Sequence, residues 1–400
     1  MTGASTRIYL DHNASAPLRP EARNAVVDAL ESANPSSVHA EGRAARALVE
    51  EARRAVAGLI AANPGEVTFT SGASESANMA LVPDWLVGGE RIVHRALAVL
   101  KTDHSVFVEG GRFEADQITR LDVDHDGVLR LDSLAAWLDR LAGRPGLLAF
   151  GLANSETGVL QDGARIMADV NGHDVRTVVD ATQWIGRLPL SFDRVPADAF
   201  ILSAHKLGGP KGVGAIVLKS TTTRPFPLIR GGGQEKGRRS GTEAVAGISG
   251  FGAAARAAAL ELRNEDGRLE ALRDRMDRAV LDRSPTTIIL GRAAKRLPNT
   301  SAYLTPGLKA ETAQIGLDLA GIAVSAGSAC SSGKIGRSHV LEAIACADTN
   351  AGPGFDPSDG AVRVSFGRDT NEAALMRFVE AYCQLCERAK PKPRTETRAA

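Results

Sequence analysis

Two spacings of apolar residues alternate along this 400-residue chain. Ala-rich, charge-dotted stretches with helical periodicity are interleaved with short β-branched runs, which is the pattern of an α/β protein. Residues 20–32 (PEARNAVVDALES) and 38–62 predict helices, the first with Pro20 near its start, where a missing N–H costs little. GEVTFTSG (65–72) predicts a strand entering a glycine turn. RIVH (91–94), LLAFGL (147–152), TVVDA (177–181), AFILSA (199–204) and GAIVLK (214–219) predict further strands. Most are continuous apolar runs, as expected of a parallel sheet covered on both faces. A helical pattern over 244–283 bridges to a C-terminal region with a strand at TTIIL (286–290) and a helix near 371–389. The tail KPKPRTETRAA (390–400) is charged and apolar-poor, and is expected to be disordered.

Composition narrows the classes. Hydrophobic residues at 44% and charged residues at 24% are ordinary globular values, and the length suits two or three domains. Lys+Arg number 48 against 47 Asp+Glu, and aromatics are 4%. Neither a basic stripe nor a stacking surface for nucleic acid is expected. No run approaches the length of a membrane span. The start MTGASTRIYLDHN has no basic segment followed by an apolar one, so the expectation is a cytoplasmic protein. The four cysteines, at 330, 346, 383 and 386, are too few for a disulfide framework and too scattered for a four-ligand zinc site. Cys383 and Cys386 fall within a helical pattern and read as two cysteines of that helix. DVDHDG (122–127) opens like a calcium loop, but its twelfth position is Ser133 rather than a bidentate Glu. It reads as a polar turn, and no metal site is expected.

Four segments carry candidate chemistry. In FILSAHKLGGPKGVGAIVL (200–218) a strand delivers Ser203, His205 and Lys206 to a Gly/Pro-rich turn. A partly desolvated lysine at a strand end is suited to Schiff-base chemistry; a surface lysine is the plainer reading. In VVDATQW (178–184) Asp180 closes a buried-looking strand, where a carboxylate needs a cationic or hydrogen-bonding partner. A protonated pyridine nitrogen is one such partner, and a simple capping role is the other. VTFTSGASESANMAL (67–81) runs from a strand into a helix N-terminus rich in hydroxyls and small residues. That is a ready phosphate site, or an ordinary cap. In GIAVSAGSACSSGKIGRSHVLEAI (321–344) Cys330 lies among Ser, Gly and Ala, as in an exposed loop where a thiol can react.

Together, in this order, the segments resemble the cysteine desulfurases, pyridoxal-phosphate enzymes of the class-V aminotransferase group. The resemblance runs from YLDHNASAPL (9–18) to VRVSFGRDT (362–370) through TSGASES, TDHS, ANSETGV, VDATQ, SAHK, GGGQEKGRRSGT and SAGSACSSG. It implies the fold type I of such transferases: a large domain with a mostly parallel seven-stranded sheet (15–260), and a smaller α/β domain from 1–14 and 261–389 carrying the Cys330 loop. It also implies the site residues. Lys206 forms the Schiff base with pyridoxal 5'-phosphate. Asp180 pairs with the pyridine nitrogen, and His104 stacks over the ring and shuttles protons. Asn154 is a cofactor contact, and Gln183 reaches the phenolic oxygen. Ala73, Ser74, Ser203 and His205 hold the phosphate. Thr242 reaches the phosphate in the other subunit of a homodimer. Asn34 and Arg363 clamp the substrate carboxylate. Two positions depart from the pattern: Ser155 stands where a second Asn is usual, and Ser74 where Thr is usual.

The implied activity converts L-cysteine to L-alanine, with sulfur passing to Cys330 as a persulfide. The long segment after Cys330 favours the branch that hands sulfur directly to an iron–sulfur scaffold protein. Two alternatives stay open. One is another pyridoxal-phosphate reaction, such as selenocysteine lysis or transamination. The other is a non-catalytic sulfur-transfer scaffold partner.

Overall fold

The computed structural model describes residues 7–264, 266–326, 337–347 and 355–389. Seven strands form the central sheet: β1 (Val67–Thr70), β2 (Ala96–Leu100), β3 (Ile118–Leu121), β4 (Gly146–Gly151), β5 (Val175–Asp180), β6 (Ala199–Ser203) and β7 (Gly214–Leu218). Their spatial order is β1-β7-β6-β5-β4-β2-β3. Only β7 runs against its neighbours, β1 and β6; the remaining pairs are parallel. The apolar runs explain this sheet. Leu147, Leu148, Ala149 and Phe150 of β4, and Phe200, Ile201 and Leu202 of β6, are fully buried, because packed elements cover both faces.

Helices α1 (Pro20–Asp28), α2 (Ala40–Leu59) and α4 (Val245–Arg263) pack on one another, and α3 (Ala73–Ala80) lies against β6 and β7. Helix α4 is the one described helix with the length and apolar content to cross a membrane, but its small residues are largely buried against α1 and α2. A second hydrophobic cluster gathers Leu10 with residues of α5 (Arg268–Arg283), β9 (Thr300–Leu304) and α6 (Glu372–Ala389). Its antiparallel sheet has the order β8-β9-β11-β10, with β8 (Ile288–Ile289), β10 (Ser325–Ala326) and β11 (Val362–Ser365).

Three expectations change. The helical stretch 244–283 is two helices, α4 and α5, parted at Asn264 and at Gly267, whose φ is 80°. RIVH is a strand, but it pairs in a separate small antiparallel sheet with Asp84–Val87 rather than in the central one. Strands β2, an uninterrupted apolar run, and β3, which carries polar positions, also belong to the sheet. The DVDHDG turn is closed by its own amides: Asp124 Oδ1 accepts from the N–H of Asp126 and of Val128, each at 2.9 Å. Cys383 and Cys386 are buried on α6, and burial pushes the Cys383 thiol up to about 11.

Candidate active site

The carboxyl ends of β1, β2, β4, β5 and β6 open on one cavity of about 510 Å3. Parallel strands present their loops, and hence their chemistry, on this side. After β1 the chain turns through Ser71 and Gly72 into α3, so Ala73 and Ser74 reach the cavity beside free amides of the first turn. Gly214 of β7 permits that turn to sit close. A Cβ there would come within 2.7 Å of Gly72 Cα and of the Leu202 oxygen.

Strand β6 ends at buried Ser203 and continues into a single tight turn, Ala204–Lys206. Lys206 lines the cavity, and its Nζ donates to the main-chain oxygens of Asn13 at 2.5 Å and Ala14 at 3.1 Å. His205 Nδ1 lies 3.2 Å from Ser15 Oγ. Burial, with Lys206 and Lys211 nearby, lowers His205 to about 4, so it is neutral at pH 7. Asp180, at the end of β5, lines the cavity, and its Oδ1 accepts the Thr182 N–H at 2.8 Å. Gln183 follows on the same wall; its Nε2 donates to the Asn13 oxygen at 3.0 Å.

His104 caps the helix Ser105–Val108 with Nδ1 accepting from Val106 at 3.2 Å, and its ring faces the cavity. Asn154 Oδ1 accepts the amides of Glu156 and Thr157, and Nδ2 donates to the Thr102 oxygen at 2.7 Å. Arg363, from β11, enters from the second cluster. It donates to Asp11 Oδ1 at 2.7 Å, Ser325 Oγ at 2.9 Å and the Ser155 oxygen at 2.8 Å. Ser155 lines the same cavity. Asn13 stitches the two clusters together: its N–H meets Ser365 Oγ at 2.9 Å and its Nδ2 meets Thr300 Oγ1 at 3.1 Å.

The cavity thus gathers Lys206, Asp180, His104, Asn154, Gln183, Ala73, Ser74, Ser203, His205 and Arg363. It does not gather Asn34 or Thr242, both exposed. Asn34 Oδ1 accepts the Ser36 N–H at 2.9 Å. Thr242 borders a smaller hollow beside Ser71 and Arg239. Arg239 binds Glu75 of α3 at 2.9 Å, which ties the Thr242 loop to the turn that enters α3. Cys330 lies outside the described residues.

Sequence reasoning passed over several contributors. Asp103 is buried at the cavity wall, and both its oxygens accept main-chain N–H groups, from Gly151 and Leu100, at 2.8 Å. Burial, with Asp180 adding repulsion, pushes it up to about 7. Its place in TDHS was the available signal. Glu156 is buried, with its pKa raised by burial, and accepts from Ser338 Oγ at 2.6 Å. His339 Nε2 lies 2.8 Å from the main-chain oxygen of Asp103. No local pattern joins positions so far apart in sequence.

The chemistry of this donor set fits pyridoxal phosphate. A lysine amine, a carboxylate at a strand end and a helix N-terminus beside hydroxyls share one cavity. Thr182 Oγ1 and Arg363 Nε, on residues of its wall, are buried polar atoms with no hydrogen-bond partner among the described residues, as expected of groups that await a polar ligand.

Comparison with known proteins agrees. The model of the family Aminotransferase class-V matches residues 8–378. A cysteine desulfurase of Cereibacter sphaeroides is 38% identical over 386 residues, spanning 94% of both chains. The cysteine desulfurase IscS of Dictyoglomus turgidum is 35% identical, over 96% of this chain and 95% of its own. Among solved structures, a NifS-like protein from Rickettsia africae superposes with a TM-score of 0.81 at 28% identity, covering 95% of this chain and 99% of its own.

Proposed function

The chain belongs to the class-V aminotransferase family, and on that premise we propose that it is a cysteine desulfurase, converting L-cysteine to L-alanine and supplying sulfur for iron–sulfur cluster assembly. The cofactor of this family is pyridoxal 5'-phosphate. The observation that carries the reading is the placement of Lys206 and Asp180 on one cavity wall together with Arg363.

When bound, pyridoxal phosphate supplies an electron sink that weakens bonds at the substrate's α- and β-carbons. The protein's part follows from its geometry. Ala73, Ser74, Ser203 and His205 would hold the phosphate, with neutral His205 able to donate from a ring nitrogen. Asp180 would keep the pyridine nitrogen protonated, since a carboxylate beside it favours the charged form. Lys206 is the amine that would hold the cofactor and move protons at its Nζ. Its anchors, the Asn13 and Ala14 oxygens, accept hydrogen bonds without neutralising its charge. His104 faces the same space and handles protons of thiol groups near neutral pH. The Arg363 guanidinium, braced by Asp11 and Ser325, orients the substrate carboxylate, with Asn34 as its second partner.

The Cys330 thiolate attacks the substrate sulfur. The carbon–sulfur bond breaks as the sulfur–sulfur bond of a Cys330 persulfide forms, and L-alanine leaves. The persulfide then passes to an acceptor thiol on a scaffold protein. In the same reading the enzyme is a cytoplasmic homodimer in which Thr242 reaches the partner's phosphate; its exposure and its place outside the wall of the chain's own cavity support this. Residues 15–260 form the large domain, and 1–14 with 261–389 the small one.

The test is direct. The purified protein should be yellow, release alanine from L-cysteine, and show a mass gain of one sulfur at Cys330. Lys206→Ala should lose the colour that borohydride fixes onto the chain. Cys330→Ala should keep the colour and lose sulfur transfer. Full transfer by Cys330→Ala overturns the persulfide route, and a colourless protein that takes up no cofactor favours the scaffold reading.

A further inference from the structure

Arg187 has a curious position for a cation. It lies four residues beyond Gln183 in a run of turns, half-buried, and does not itself line the cavity. Among the described residues it makes no ion pair with any carboxylate. Burial, with the charge of Arg363 adding to it, lowers it to about 9. Its Nη1 donates to two oxygens of one residue, the main-chain oxygen and the Oε1 of Gln183, both at 2.6 Å.

This contact decides which way the Gln183 amide faces. A guanidinium can only donate, so the atom it meets must be the amide oxygen. On the other side, the Asn13 carbonyl can only accept, so the atom it meets at 3.0 Å must be the amide nitrogen. Two partners of unambiguous character therefore fix an orientation that an isolated glutamine would leave open. The oxygen is occupied and one N–H is spent on Asn13. One N–H remains, on a residue of the cavity wall.

The same Asn13 carbonyl accepts from Lys206 Nζ at 2.5 Å. Arg187, Gln183, Asn13 and Lys206 thus form one hydrogen-bonded chain ending at the reactive amine. The charged groups around it are few. His12, lowered to about 4 chiefly by burial and then by Arg187, is neutral, and Asp11 and Asp369 flank that imidazole. Asp11 is committed to Arg363 at 2.7 Å. The positive charge of Arg187 is therefore not cancelled by a partner in direct contact.

We propose that Arg187 is a positioning residue for the cofactor: it locks the Gln183 amide so that a single N–H is offered to an anionic ring oxygen of pyridoxal phosphate. This rests on the cofactor reading above. The arrangement makes Gln183 a donor only, and rejects the flipped amide whose oxygen would repel that anion.

Arg187→Met removes the donors and the charge; Arg187→Lys restores the charge and one donor. Two readouts are taken on full-length protein: the dissociation constant of pyridoxal phosphate from the stripped enzyme, and the pH midpoint of the visible band. Arg187→Met should weaken cofactor binding roughly tenfold, the scale of a lost hydrogen bond to a charged group. It should also move the midpoint upward, because a removed cation leaves the bound chromophore's proton easier to keep. Arg187→Lys should recover most of both. The decisive arm is a double-mutant cycle on the dissociation constant: in a Gln183→Ala background, Arg187→Met should weaken cofactor binding no further. Wild-type values for Arg187→Met, or full additivity with Gln183→Ala, overturn the proposal. If Arg187→Met fails to fold, Arg187→Leu, which likewise lacks donors and charge, carries the same cycle. If the wild-type protein takes up no pyridoxal phosphate, the cofactor reading itself fails, which is a distinguishable result.

Discussion

The Asp103 carboxylate offers a quantitative test of how the cavity wall is built. It is 6% exposed, and burial pushes its pKa from an ordinary 3.8 to about 7. A folded-state value above the unfolded one means that the folded chain holds the proton more tightly. The resulting stabilisation is complete below about pH 3.8 and is lost as pH rises through about 7. At ~1.36 kcal/mol per pH unit, the whole window is worth on the order of 4 kcal/mol. Asp103→Asn cannot titrate. It also keeps only one acceptor oxygen for the Leu100 and Gly151 amides, so one N–H is left facing an NH2 group. That costs ~1–3 kcal/mol at every pH. Urea unfolding of both proteins between pH 5 and pH 9 reads the two effects apart. The stability of the wild type relative to Asp103→Asn should fall with pH until about pH 7 and then level. Hydrogen exchange at the Leu100 or Gly151 amide should be faster in the variant. A difference that stays flat from pH 5 to pH 9 refutes the assignment of a raised pKa to burial.

Two further outcomes are expected. Arg363→Lys keeps a charge but not the fork that spans Asp11, Ser325 and Ser155; KM for L-cysteine should rise ~10- to 100-fold while the cofactor's colour persists, and an unchanged KM removes Arg363 from the clamp. Gly214→Ala places a methyl group 2.7 Å from Gly72 Cα, so the turn into α3 must move; pyridoxal phosphate should dissociate several-fold faster, with little change in far-ultraviolet circular dichroism.

What was legible in the sequence was local. The runs LLAF and AFIL are apolar throughout because their strands are covered on both faces, and that pattern survives without any knowledge of neighbours. The chemistry of Lys206, Asp180 and the turn before Ala73 was legible for a related reason: each sits where a strand ends, and strand ends are marked by abrupt changes from apolar to polar residues. Strand β3, ITRL, was missed because it lies at the sheet edge and carries polar positions. The break in 244–283 was missed because helical propensity on both sides of it is high; the first helix stops at Asn264, and Gly267, at φ 80°, caps the start of the second.

The tertiary structure decided everything that depends on meeting across the chain. Asn13 touches Thr300 and Ser365, Glu156 meets Ser338, and the Gln183 amide meets Arg187 on one side and Asn13 on the other. Sequence periodicity reports which face of an element is dry, because burial acts on each residue separately. It does not report which polar atom meets which, because a hydrogen bond is a property of two positions brought within about 3 Å by the fold.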